Sequence, residues 1–170
     1  GYPASVIDDA NFRAAADTFY NESLGLSMMW VQQERVEDMI QNILDHAGAV
    51  LAIAPETGKF ILKPIRYDYT PAALDVYDES RIVAIDRFER AGYGELLGEV
   101  SVVYRDKRTN RDETVTVQNL AVIQCQSGVV SETTQYPGFS HHANAARAAM
   151  RDLKAKSVPL ARGTMVVNRH

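Results

Sequence analysis

The stretch VEDMIQNILDHAGAVLAIAPETGKFILKPIR, Val36–Arg66, decides how the rest of the chain is read. Val36, Met39, Ile40, Ile43 and Leu44 fall at i, i+3, i+4, i+7 and i+8, the spacing of one apolar helical face. Glu34, Glu37 and Asp38 surround the first turn, where carboxylates offset unpaired N–H groups and the positive end of the dipole. Gly48 follows the last periodic residue and can take the left-handed conformation that closes a helix. Pro55-Glu56-Thr57-Gly58 has turn chemistry and separates two apolar runs, Ala49–Ala54 and Lys59–Ile65, that read as strands. The expected unit is a helix feeding a hairpin, with Leu51, Ile53, Phe60 and Leu62 against the helix face. His46, in the last turn, suits the negative end of the dipole.

Before this unit, Asp8 or Asp9 offers an N-cap to a helix ending near Ser23, with Phe12, Ala15, Ala16, Phe19 and Tyr20 at the same spacing. Leu24–Val31 reads as a short strand or extended link whose Trp30 packs in the core. After the hairpin, Pro71 breaks the sheet, and Ala72–Ser80 fits either one helical turn or a loop. Arg81–Arg90 reads as a strand with Val83 and Ile85 staggered against Ile82 and Ala84. Leu97–Arg105 and Glu113–Gln118 form a hairpin in which Val100, Val102 and Tyr104 share a face with Val115 and Val117. Leu120–Gln126 is helix or strand, Val129–Tyr136 a strand, and Ser140–Ser157 a helix with Ala143, Ala146, Ala149, Met150 and Leu153 inward. Pro159 ends it, and Leu160–Arg169 is a last strand. The order is α+β: about three helices packed on mostly antiparallel strands and hairpins. Residues 1–23 form an N-terminal helical segment and 24–170 the main domain, the two expected to make one compact unit.

With 170 residues the chain can bury roughly 70% of its unfolded surface, so it needs neither metal nor disulfide to hold it. A net charge of −4, with basic residues diluted by acids, argues against nucleic acid as partner. No apolar run reaches the ~20 residues of a membrane span. Cys125 stands alone in an apolar setting and reads as a buried small hydrophobe. The chain opens on Gly1-Tyr2-Pro3 and stops in the β-rich run Thr164–His170, so it is expected to be a piece of a longer polypeptide.

The constellations of an enzyme are missing from the pattern. Gly92-Tyr93-Gly94 and Gly98 lack the flanks of a phosphate loop, and no G-x-S-x-G elbow occurs. His141 and His142 are adjacent, about 100° apart on a helix, and cannot clamp one metal. His170 is terminal, Glu37-Asp38 serve the helix dipole, and Asp78-Glu79 solvate a loop. Tyr67, Tyr69 and Tyr77 form a candidate aromatic interface. No catalytic, metal or cofactor-binding residue is assigned and no cofactor is expected; the pattern suits a structural or binding role.

Three stretches carry a resemblance: LGLSMMWVQQERVEDMIQNILDHAGAVLAIAPETGKFILKPIR, DESRIVAIDRFERAGYGELLGEVSVVYRDKRTNRDETVTVQNLAVIQCQSG and YPGFSHHANAARAAMRDLKAKSVPLARGTMVVNR. In their order and spacing, from Leu24 onward, the chain resembles tail proteins of long-tailed bacteriophages and prophages, of the tail-tip or baseplate-hub class. The resemblance implies a non-enzymatic virion component, made in the host bacterial cytoplasm, that mediates tail assembly. It implies a segment of a larger chain assembled as a homotrimer, contacting tube, tape-measure and receptor-binding proteins. The alternative is a carbohydrate- or peptidoglycan-binding or lytic module associated with a tail.

Overall fold

A computed structural model describes residues 3–29, 33–66, 68–90, 92–158 and 161–168. Trp30, Tyr67, Pro159, Leu160, Arg169 and His170, all assigned roles above, lie outside the described residues. The elements are α1 (Asp9–Asn21), α2 (Val36–Ala47), β1 (Ala49–Ile53), β2 (Phe60–Pro64), β3 (Ile82–Arg90), β4 (Glu99–Asp106), β5 (Arg111–Gln118), α3 (Leu120–Gln126), β6 (Ser131–Gln135), α4 (His142–Lys156) and β7 (Ala161–Val167). The fold is α+β. Among the described residues the strands lie in three sheets, ordered β1-β2, β3-β7 and β5-β4-β6.

The chain forms two compact units. One comprises Gly1–Arg66, Val102–Val115 and Gln135–Ala148; the other Tyr67–Ser101, Thr116–Thr134 and Ala149–His170.

In the first unit Asp8 caps α1, its carboxylate accepting from the Asn11 N–H at 3.1 Å. Gly48, at φ 59°, closes α2 in the left-handed conformation, which glycine adopts without a Cβ penalty. β1 and β2 pair antiparallel from Ala49↔Pro64 to Ile53↔Phe60. The helix lying on β2 is α1, not α2 as the spacing suggested. The Asn11 Oδ1 accepts the Leu62 N–H at 2.7 Å, tying α1 to the outer edge of the hairpin. α2 passes into β1 through Gly48 alone, too short a link to fold the helix back across the whole hairpin. Its face is accordingly only partly covered: Met39, Ile43 and Leu44 are half-buried, whereas Val36, Ile40 and, on the hairpin, Ile53 are exposed. Leu24–Met29 is an extended link rather than a strand. The core of this unit gathers Ala15, Ala49, Val102, Tyr104, Val115, Tyr136, Phe139, Ala145 and Ala148.

In the second unit Pro71–Ala73 makes one turn of 3₁₀ helix, and residues 68–81 are otherwise irregular and exposed. Asp78 then shapes the entry to β3, its Oδ1 accepting from the Ser80 N–H at 3.1 Å and hydroxyl at 2.5 Å. Asn119 caps α3, which resolves the open choice at Leu120–Gln126 in favour of helix. Cys125 is exposed, against expectation; α3 is only two turns long and leaves that side uncovered. Leu96, Val100, Ala149 and Leu153 form the core here.

The buried face of α4 differs from the predicted one. On α4 the buried residues are Asn144, Ala145, Ala148, Ala149 and Leu153, while Ala143 and Met150 are exposed. Alanines stand on every side of this helix, so periodicity could not fix which side turns inward. β4, by contrast, alternates as predicted, with Val100, Val102 and Tyr104 buried.

Candidate interaction surface

β3 and β7 form a two-stranded antiparallel ribbon in the second unit. Its register joins Ile82↔Val167, Ile85↔Met165, Phe88↔Gly163 and Arg90↔Ala161 on one side, and Ala84↔Val166, Arg87↔Thr164 and Glu89↔Arg162 on the other. Opposed residues share a face and strand residues alternate, so the first set lies on one face and the second on its reverse. β3 does not alternate as predicted. Irregularities between Ile82 and Ala84 and between Ile85 and Arg87 each add one residue, Val83 and Asp86. They bring Ile82, Ile85 and Phe88, spaced by three, onto the same face.

That face is apolar and open. Ile85 is 60% exposed, Phe88 65% and Met165 47%. Phe88 leans over Gly163, where an added Cβ would meet its ring at 3.4 Å and the Arg87 carbonyl at 3.3 Å. A glycine at this position keeps a Cβ from crowding the Arg87 carbonyl. The reverse face carries Arg87 bound to Glu89 at 2.6 Å. At the end of the ribbon, Glu89, Arg90 and Arg162 line a cleft with Glu95, Glu132 and Lys156. Acids and bases are matched there, and Lys156 is ion-paired with Glu132.

Of the predicted interface tyrosines, Tyr69 and Tyr77 are exposed in the irregular stretch ahead of β3, and Tyr67 lies outside the described residues. Asp78, predicted to solvate that loop, is held below its ordinary carboxyl value, chiefly by the Ser80 hydroxyl, with burial opposing. His141 and His142 are exposed at the start of α4, the His142 ring edge-on to Tyr104 at 6.4 Å. Among the described residues no three His, Cys, Asp or Glu side chains come together as metal ligands. No described helix is long and apolar enough to cross a membrane.

A family model described as "putative phage tail protein" matches residues 35–170. The chain belongs to that family. No curated protein matches it. The match opens one residue before α2 and runs through β7, so this phage tail protein carries the whole ribbon within the family region, while α1 precedes it. Membership of this family points to a component of the phage tail, among other tail proteins. Sequence reasoning missed the ribbon face because the signal is hidden: spacing by three in Ile82, Ile85 and Phe88 fits neither strand nor helix until the two irregularities are known.

Proposed function

We propose that this phage tail protein is a structural component of the tail tip or baseplate hub, holding neighbouring tail proteins together without catalysis. The exposed apolar face of the β3–β7 ribbon carries this reading. Apart from Arg90 at its end the face bears no charge, so it suits an apolar surface on an adjacent tail subunit and no charged partner. Phe88 and Ile85 are its anchors. Within the full-length parent the protein works as a homotrimer, made in the host cytoplasm and built into the tail beside the tube, tape-measure and receptor-binding proteins.

The test is the double variant Ile85→Asp, Phe88→Asp, introduced into the parent phage or prophage. Each side chain gains about 1.5–3 kcal/mol when fully buried, so losing both weakens docking by at least ~100-fold. Tail assembly, scored by electron microscopy and infectious titre, is expected to fail while the thermal transition of the isolated chain stays in place. Normal tails would overturn the proposal. Clearing of a cell-wall suspension by the wild-type chain would replace it with the lytic reading.

A further inference from the structure

The cleft at the end of the β3–β7 ribbon has charged groups that the ribbon does not use. Its volume is about 690 Å³, room for a ligand or a few side chains. Backbone bonds fix its walls: the Leu97 N–H donates to the Lys156 carbonyl at the end of α4 at 3.1 Å, and the Gly98 N–H to the Val130 carbonyl ahead of β6 at 2.9 Å. Leu96 is buried in its wall, and Val158, 49% exposed, offers it an open apolar side chain. Lys156 and Glu132 hold each other, and Glu89, opposite Arg162 across the ribbon, is held by Arg87 at 2.6 Å. The side chains of Arg90, Arg162 and Glu95 make no ion pair or hydrogen bond among the described residues. Acids and bases are thus equal in number, but the unengaged ones are two guanidiniums and one carboxylate, a net positive charge.

The complementary chemistry stands at the other end of β3. Residues 74–79, Leu-Asp-Val-Tyr-Asp-Glu, hold three acids, three apolar or aromatic residues and no base. Leu74 is 53% exposed, Val76 75% and Tyr77 52%. Asp78 is engaged in the turn into β3, accepting from the Ser80 N–H and hydroxyl. Asp75 and Glu79 are exposed, and their carboxylates make no ion pair or hydrogen bond among the described residues. We propose that the cleft of one copy of this chain receives the 74–79 segment of a second copy, its two unengaged guanidiniums taking the Asp75 and Glu79 carboxylates. Guanidinium and carboxylate match in a bidentate fork, and Val158 of the cleft gives Leu74 and Val76 an apolar surface to cover.

β3 keeps a chain's own segment away from its own cleft. The segment runs into Ile82 at one end of the strand, and the cleft opens at Glu89 and Arg90 at the other, roughly 20–25 Å away at the rise of an extended strand. The Asp78 carbonyl accepts from the Arg81 and Ile82 N–H groups, both at 3.0 Å, and this turn holds the segment at its own end. No residue of the segment lines the cleft. A surface and its complement on different parts of one chain make a heterologous contact, which joins copies head to tail and closes a ring where the rotation allows. The contact rests on the assembly role proposed above and adds to it the residues on which copies meet, apart from the apolar ribbon face. A nucleic-acid backbone suits the cleft less well, because its phosphates would meet the carboxylates of Glu89, Glu95 and Glu132.

The test uses the full chain and two independent readouts. Self-association is followed by sedimentation equilibrium up to about 1 mM, a range that reveals even a weak contact. Arg90→Glu with Arg162→Glu reverses the cleft, and Asp75→Lys with Glu79→Lys reverses the segment. Each double variant is expected to lower the association constant at least about tenfold, since two attractions become two repulsions. An equimolar mixture of the two is expected to associate again, because each variant then carries the charge that the other's reversed site needs. The second readout stands even if a variant does not fold: a peptide with the sequence of residues 72–81, added to ¹⁵N-labelled wild type, is expected to shift the amide signals of residues 95–97 and of Arg162. A wild type that stays monomeric to 1 mM would overturn the proposal, as would association that neither reversal alters, a mixture that stays apart, or a peptide that leaves those amides in place. None of these results touches the ribbon, whose role is read separately from tail assembly with Ile85 and Phe88 replaced.

Discussion

Replacing Arg66 with Met tests whether one guanidinium joins three parts of the first unit. Arg66 Nε donates to Glu22 Oε1 at 2.5 Å and Nη2 to Oε2 at 2.7 Å, a bidentate pair at the end of α1. The same group donates to the carbonyls of Ala47 at 3.2 Å, Gly48 at 3.0 Å and Ile65 at 2.8 Å, covering the C-terminus of α2, and lies 5.9 Å from the Phe19 ring centre. Arg66 and Glu22 side chains are 26% and 33% exposed, between the limits for buried and surface pairs. Breaking a buried pair costs about 3–5 kcal/mol and an exposed one less than ~1, so partial solvent screening puts Arg66→Met near 2–3 kcal/mol. For a chain of this size that is a fall in Tm of about 5–10 °C, readable by calorimetry and by urea midpoint at pH 7. Arg66→Lys recovers only part of the loss, because a point charge cannot span a carboxylate and three carbonyls. The pH dependence gives an internal check. Glu22 is held below its ordinary carboxyl value of 4.5, first by the hydrogen bond from Arg66, with burial opposing and the charges of Arg66 and Arg147 assisting. A depressed carboxyl contributes stability that is present above the unfolded value and is lost as pH falls through the folded one. The gap between wild type and Arg66→Met therefore narrows below pH ~4.5. A loss under 0.5 kcal/mol, or one abolished by 0.5 M salt, would show that Arg66 is an ordinary surface cation.

Two further substitutions probe the packing of the same unit. Gly138→Ala drives a methyl against Leu26, Met28 and His46, so it is expected to cost about 1–3 kcal/mol by urea unfolding; a change under 0.3 kcal/mol would mean that the turn is loosely held. Asn11→Ala strips the acceptor from the Leu62 N–H, an expected loss of about 1–2 kcal/mol, and should speed amide exchange at Leu62 more than at its hydrogen-bonded neighbours in β2.

Where sequence and structure agree, the signal was local. The Asp8 cap, the acids beside α2, the αL glycine at 48 and the alternation of Val100, Val102 and Tyr104 are each read within a few residues, and each stands as predicted. The failures needed long-range facts. That α1 takes β2, leaving Val36 and Ile40 open, depends on the reach of the Gly48 link rather than on spacing within α2. His46 stands in the last turn of α2, yet it is buried, against a turn ninety-two residues away whose Gly138 N–H donates to Nε2. Met150 lies outward and Asn144 inward because Asn144 Nδ2 reaches the Gly25 carbonyl at 3.1 Å, a partner that no helical period reveals.

A two-stranded sheet alone is marginal in water, and each cross-strand apolar pair adds only about 0.2–1 kcal/mol. Strict alternation along β3 would put Ile82, Ala84, Asp86 and Phe88 on one face and Val83, Ile85, Arg87 and Glu89 on the other, an even mixture suited to water on both sides. The observed register instead gives up regular pairing at Val83 and Asp86 and gathers Ile82, Ile85 and Phe88 opposite Val167, Met165 and Gly163. Each irregularity disrupts the ladder locally and leaves the added residue unpaired. An uncovered ribbon gains little in return, because an apolar face costs about as much in water whether its residues are gathered or divided. The gain comes only when one face is taken out of water, and at roughly 25 cal/mol per Å² a covered face of even a few hundred Å² offsets two local defects several times over. Under the docking role proposed above, the two displaced registers are what a strand pair covered by a neighbour requires.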